Sequence, residues 1–126
     1  MDKLRFINEQ MDILSVPYEL NEWTEKVSYP YFTGEFTEVP IMNEDGSEET
    51  EVILTGFCRG KGAYMKLVSH MKKIKKHFDP IYGLRAATDS GSIAVFFSGS
   101  FPVPTGEAEL KRIQINLTIK EWKGAL

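Results

Sequence analysis

Residues 69–78, SHMKKIKKHF, hold four lysines and two histidines in a chain whose formal net charge is −3. Side chains of these types could ligate a metal, grip a nucleic-acid backbone or meet an acidic protein surface. Metal ligation fails on spacing: His70 and His77 are seven residues apart, about 10.5 Å along a helix axis, whereas a helical ligand pair is spaced by four. A wheel at about 100° per residue, with Tyr64 at zero, gathers Lys66, Lys72, Lys73 and Lys76 between about 80° and 200°. The histidines fall beside them, at about 220° to 240°, and read as solvated. Lys75, at about 20°, lies inside the apolar stripe and is expected to reach out along its stem.

The basic face lacks the chemistry of a sequence reader. It carries no arginine, and the isoelectric point of the chain is about 5.4, whereas duplex-binding surfaces bring arginines and a basic balance. Lysines in the last turns of a helix also complement its negative end, so part of the cluster is explained without a ligand.

Three further features carry residue types that could do chemistry. GFCRGKG, residues 56–62, stands between a strand and a helix start, where backbone amides favour anions. It departs from a phosphate loop: Gly56 and Gly60 are four apart rather than five, and Gly62 occupies the place of the magnesium-holding Ser or Thr. Gly60 and Gly62 are better read as permitting a tight strand-to-helix reversal. Cys58, the single cysteine, has no nucleophile motif around it and reads as core packing. Glu44, Asp45, Glu48 and Glu49 crowd an acidic loop without the alternating ligands of a calcium loop. No serine elbow, zinc-helix motif, kinase set or dinucleotide fingerprint occurs, so no catalytic residue, cofactor or metal is assigned and an enzyme is not expected.

The elements that position these residues follow from periodicity. Leu4, Ile7, Met11 and Leu14 mark an amphipathic helix over residues 2–15, closed by Pro17. Phe6 and Ile13 form a second, narrower strip, suited to core burial on another side or to a subunit contact. YPYFTGEFTEVP, residues 29–40, predicts a strand near a sheet edge because of its prolines. With EVILTGFC, residues 51–58, it makes a hairpin whose long charged tip is NEDGSEE, residues 43–49. A second helix over about residues 63–78 buries a stripe of Tyr64, Leu67, Val68, Met71, Ile74 and Phe78. LRAAT and IAVFF predict a further hairpin over residues 84–97, with IAVFF central, and residues 99–109 read as a Pro/Gly loop. Ile113, Ile115, Leu117 and Ile119 alternate with Gln114, Asn116, Thr118 and Lys120, a strand with one buried face. The order α-β-β-α-β-β-β predicts an α+β fold: one domain over residues 1–126, a mainly antiparallel sheet, and two helices on one face.

Composition agrees with such a domain. The 126 residues are 42% hydrophobic and 26% charged, enough to bury a core without disulfides. No apolar run approaches the roughly 20 residues that span a bilayer, and the N-terminus is not signal-like, so a soluble cytoplasmic protein without a membrane partner is expected. The charge is split along the chain. Residues 1–58 carry 13 acidic against 3 basic side chains and residues 59–126 carry 5 against 12, or −10 and +7. If folding keeps the halves apart, they make complementary faces; if it mixes them, they cancel locally.

Two segments carry a resemblance: VPYELNEWTEKVSYPYFTGEF, residues 16–36, and PVPTGEAELKRIQINLTIKEW, residues 102–122. With the element order, they resemble small proteins encoded among the tail genes of long-tailed phages and prophages of Gram-positive bacteria. Size and order are similar to the tail terminator, or tail completion, family. The resemblance implies a structural role: subunits close into a ring, a hexamer, that caps the tail tube protein, halts its polymerisation and offers a surface to the head-tail connector protein. It implies residence in the host cytoplasm during assembly and then in the virion tail, and it brings no catalytic residues.

A head-to-tail ring needs two unlike, complementary faces per subunit. Glu44, Asp45, Glu48, Glu49 and Glu51 could supply one, and Arg59, Lys61, Lys66, Lys72, Lys73 and Lys76 the other. A neck or connector protein of the same particles, or a small cytoplasmic nucleic-acid-binding or regulatory module, stays open as an alternative; no specific nucleic-acid sequence is implied.

Overall fold

Period-2 burial organises the molecule. The structure is a computed structural model that describes residues 2–21, 26–42, 46–89 and 91–123. Its elements are α1 (Asp2–Ile13), β1 (Tyr18–Leu20), β2 (Tyr31–Met42), β3 (Glu48–Arg59), α2 (Ala63–His77), β4 (Leu84–Thr88), β5 (Gly91–Val103) and β6 (Leu110–Lys123). The strands form one sheet in the order β1-β2-β3-β6-β5-β4. Val52, Leu54 and Cys58 of β3 and Ile113, Ile115, Leu117 and Ile119 of β6 point to one face and are buried there. Ile7 and Met11 of α1 and Leu67 and Ile74 of α2 join them in one core, so both helices cover the same face. Each fully buried aliphatic side chain of that core stabilises the fold by about 1.5–3 kcal/mol relative to exposure.

The α+β expectation holds in its coarse form, with differences in order and pairing. β1 makes the order α-β-β-β-α-β-β-β, and it runs parallel to β2, Tyr18 beside Phe32 and Leu20 beside Gly34, so the sheet is mixed. The remaining neighbours are antiparallel. The central strands are β3 and β6; IAVFF lies in β5, which β4 covers only over Gly91–Val95. β5 also continues through much of the expected 99–109 loop, with a register shift between Phe97 and Gly99. Pro102 is tolerated because its outer side lies beyond the end of β4, where a missing N–H costs no ladder bond.

α1 ends where its sequence turns against it. Ser15 adopts a left-handed φ of 57°, its N–H bonds the Asp12 carbonyl and the Val16 N–H bonds the Met11 carbonyl, closing a Schellman motif just before Pro17. Met11 and Val16, the apolar pair that accompanies this motif, are both buried. Of the narrower strip, Phe6 packs against the core and Ile13 is exposed. No described helix is long and apolar enough to cross a membrane.

Candidate functional site

Local backbone chemistry turns β3 into α2. Gly60 and Gly62 have left-handed φ values of 100° and 71°, and Gly62 is the N-cap, so the reversal uses a conformation that β-carbons resist. Gly56 has a different role: on the core face of β3, opposite Phe32, it leaves room for the Phe32 ring to lie against the backbone. The glycines of the GFCRGKG segment are thus accounted for by packing and by the turn.

α2 buries Ala63, Leu67 and Ile74, leaves Val68 and Met71 half-buried, and exposes Tyr64, which was expected in the stripe. Lys66, Lys72, Lys73 and Lys76 are all exposed. Lys73 also donates from Nζ to the Leu14 carbonyl at 3.1 Å, satisfying an acceptor at the end of α1. Lys75 places its ammonium 5.9 Å from the centre of the Phe97 ring, the cation-π contact of a side chain leaving the stripe along its stem. Lys66, Lys72 and Lys76 make no ion pair among the described residues and stand free on the outer surface.

The histidines are not solvated as expected. His77 Nε2 lies 2.6 Å from Gln10 Oε1, and together with the Lys73–Leu14 bond this aligns α1 and α2 antiparallel. His70 meets the Phe32 ring edge-on at 5.8 Å, and its Nδ1 is buried without a partner. Burial lowers the pKa of both, and Lys73 lowers that of His70 further. The buried face is centred on Ala63, Leu67 and Ile74, at about 280° on the same wheel and about 60° from the middle of the expected stripe, which brings the histidines to its edge.

The acidic candidates divide. Glu44 and Asp45 lie outside the described residues. Glu48 and Glu49, expected in the loop, begin β3, because Glu48 already pairs with Met42 across the hairpin and with Glu121 of β6. Glu48 bonds Lys123 at 3.4 Å; Lys123 also stands 4.0 Å from Glu121, which is buried and lies 3.6 Å from Lys3. Lys3 in turn reaches Glu38 at 3.0 Å. Glu49 engages a neighbour within the chain, and the Glu51 carboxylate accepts from Thr118 Oγ1 at 3.2 Å. None of the sequence signals announced the buried Lys3–Glu121 pair, since each residue lies on an element read as amphipathic.

The opposite end of the same strands is basic. Arg59 closes β3 and bonds Glu107 at 2.7 Å, and Lys61 stands exposed in the turn after it. Across the sheet Lys111 and Arg112 begin the long ladder of β6, with Arg112 donating to the Pro104 carbonyl at 3.2 Å. Here the 104–109 loop folds over on itself: the Thr105 hydroxyl accepts from the Glu107 N–H at 3.1 Å and lies 2.8 Å from the Leu110 carbonyl. Between this loop and the first turn of α2 lies an open groove of about 800 Å³, floored by Tyr64, Val103, Ala108 and Leu110 and edged by Lys111 and Arg112. The groove was not foreseen, because its walls come from segments some 40 residues apart that carry no shared motif. From Glu48 to Arg59 the chain runs about 36 Å at roughly 3.3 Å per strand residue, so the two charge groups lie at opposite ends of the sheet.

Among the described residues no three His, Cys, Asp or Glu side chains converge as metal ligands would. A scan against models of known protein families and a search of curated proteins return no match to this chain.

Proposed function

We propose that the chain is a structural subunit of a phage or prophage tail, of the terminator type, whose copies join head to tail in a ring on the tail tube and present a surface to the head connector. The observation that carries this reading is that the charge split of the sequence persists as a split in space. Residues 1–58 supply α1, β1, β2 and nearly all of β3, and residues 59–126 supply α2 and β4 to β6, so the two halves build adjoining blocks of the sheet joined at β3–β6, with α1 and α2 in contact over the core face through Gln10–His77 and Leu14–Lys73. One subunit therefore offers unlike, complementary faces, which is what a heterologous, ring-closing interface requires. The resemblance of residues 16–36 and 102–122 to tail-gene proteins supplies the setting.

Sizing and negative-stain microscopy of the purified chain, with and without purified tail tubes, test the reading. Rings, or tubes capped at one end, are the expected result. A chain that stays monomeric and leaves the tubes uncapped at every concentration would remove it. Binding to isolated connectors but not to tubes would replace it with the neck-protein reading.

A further inference from the structure

The end of α1 carries a feature that the core does not explain. Ile13, the last residue of the helix, is 67% exposed, although Phe6 of the same strip packs against the core. Glu9 and Asp12 stand four and one residues before it, so that the three side chains share one outward face. Both carboxylates are exposed and make no ion pair among the described residues. The tip is rigid: the Schellman turn at Ser15 closes it, and Lys73 ties the Leu14 carbonyl to α2. Lys73 is a cation beside the tip, set against two carboxylates and the negative end of α1. An apolar anchor fixed in this way loses little freedom on binding.

The groove beside the 104–109 loop has the complementary character. Tyr64, Val103, Ala108 and Leu110 give it apolar area, and Lys111 and Arg112 edge it with positive charge. Glu107 on the same rim is taken up by Arg59 at 2.7 Å, so it does little to reduce that charge. Bonds from Thr105 to Glu107 and Leu110, and from Arg112 to the Pro104 carbonyl, fix the shape of the loop. Among the described residues, none from α1 lines the groove. The Lys73–Leu14 bond holds the tip of α1 beside the later half of α2, whereas the groove meets α2 at Tyr64. From Tyr64 to Lys73 is nine residues, about 13.5 Å of helix, so a subunit does not fill its own groove with its own tip.

We propose that the groove is the receptor of the head-to-tail contact, and that its occupant is the last turn of α1 from a second copy of this chain, with Ile13 on the apolar floor and Glu9 and Asp12 against Lys111 and Arg112. The contact rests on the ring reading above and gives it a specific site, since the tip belongs to the acidic half of the chain and the groove to the basic half. A helix face with an aliphatic anchor, laid in a groove, buries apolar area that salt does not screen, while the charges set the register. Tip and groove are different surfaces of one subunit, so the contact is heterologous and repeats from copy to copy.

Cysteine cross-linking of the full chain tests this contact directly. The native Cys58 is fully buried and does not interfere, and Asp12 and Ala108 are both exposed. Under mild oxidation Asp12→Cys/Ala108→Cys is expected to give a ladder of covalent dimers, trimers and higher forms, while an equal mixture of the two single variants stops at a dimer. Analytical ultracentrifugation, with and without tail tubes, supplies the second measurement. Ile13→Ser should weaken self-association about tenfold to a hundredfold and, because Ile13 is exposed, leave the urea midpoint of the subunit unchanged. Glu9→Lys/Asp12→Lys and Lys111→Glu should each weaken it about tenfold, and mixing these two variants should restore assembly, because each tip then meets a groove of opposite charge. Rings that form normally in all three variants, with no ladder from the cysteine pair, overturn this contact and leave the ring reading standing. A wild-type chain that forms no oligomer alone or on tubes overturns both.

Discussion

Gly56→Ala tests the packing that holds α2 over the sheet. A β-carbon at Gly56 would lie 2.7 Å from Cδ2 and Cζ of Phe32, inside the van der Waals envelope of the ring. The ring has little room to retreat: Phe32 is fully buried, and His70 of α2 stands edge-on against it at 5.8 Å. Accommodation must therefore displace either β2 or α2, and overpacking of this kind costs about 1–3 kcal/mol. Alanine recovers about 0.5–1 kcal/mol by restricting the unfolded backbone, which leaves a net destabilisation of about 1–2 kcal/mol. With a urea dependence of about 1–3 kcal/mol per molar, the midpoint of unfolding should fall by about 0.5–1 M. Equilibrium urea unfolding followed by circular dichroism measures this. The double variant Gly56→Ala/Phe32→Leu should be more stable than the sum of its single changes, because the smaller side chain vacates the space that the new methyl needs. Wild-type stability for Gly56→Ala, together with simple additivity in the double variant, would refute the close approach of Phe32 to Gly56.

Protonation of the half-buried His70 and His77 should make stability depend on pH between about 7 and 5. The unfolded chain takes up protons near the ordinary histidine value of 6.5 while the folded chain resists, so the stabilisation is present above that value and is lost as pH falls toward the lowered folded values. Urea midpoints at pH 7.5, 6 and 5 should decline, and His70→Gln/His77→Gln should flatten the decline; Asp79, held low by the Tyr82 and Ile81 amides, titrates below this window. Lys3→Met removes the 3.6 Å partner of buried Glu121 and should cost about 2–3 kcal/mol by urea unfolding, with Lys123 at 4.0 Å moderating the loss and Lys3→Met/Glu121→Leu recovering much of it. Lys66→Glu/Lys72→Glu/Lys76→Glu leaves the intramolecular Lys73 bond intact and should weaken ring formation about tenfold to a hundredfold by analytical ultracentrifugation, at up to about 1 kcal/mol for each exposed charge. Unchanged association, with an unchanged salt dependence, would count against that face as a contact.

Legibility followed the reach of the signals. β6 could be read directly because Ile113 to Ile119 alternate without interruption and every alternate residue meets the core. β1 could not, because three residues have too little periodicity to register and their parallel partner lies beyond an intervening segment. The prolines and glycine of 99–104 hid the second half of β5, whose stability as a strand depends on pairing with distant β6. At the candidate surface, the sequence identified Lys66, Lys72 and Lys76 as one exposed face, which local helix geometry suffices to determine. It misplaced His70 and His77 because the direction in which a helix buries itself is decided by the sheet and by α1, not by the helix alone. Glu48 and Glu49 looked like loop residues for a related reason, since acidic side chains at a strand start are tolerated only once Lys123 and other neighbours are folded beside them.

The charge split survives folding because of how the strands are connected. β2 and β3 form one hairpin, and β4, β5 and β6 follow one another as antiparallel neighbours, so each half of the sequence builds a contiguous block of sheet. Mixing the charges within the sheet would require a strand from one half to enter between strands of the other; among the described strands the two blocks join at β3–β6, and α1 and α2 join them again on the core face through Gln10–His77 and Leu14–Lys73. Cross-half ion pairs gather at one end of that seam, where Lys3 meets Glu121 and Lys123 meets Glu48. At the other end, among the described residues, Lys61 and Lys111 have no acidic partner, and Arg59 draws its own from the neighbouring loop. Neutralisation within the subunit thus saturates at one corner and leaves the diagonally opposite corner positive. The groove lined by Tyr64, Val103, Ala108 and Leu110 opens at that positive corner, beside Lys111 and Arg112.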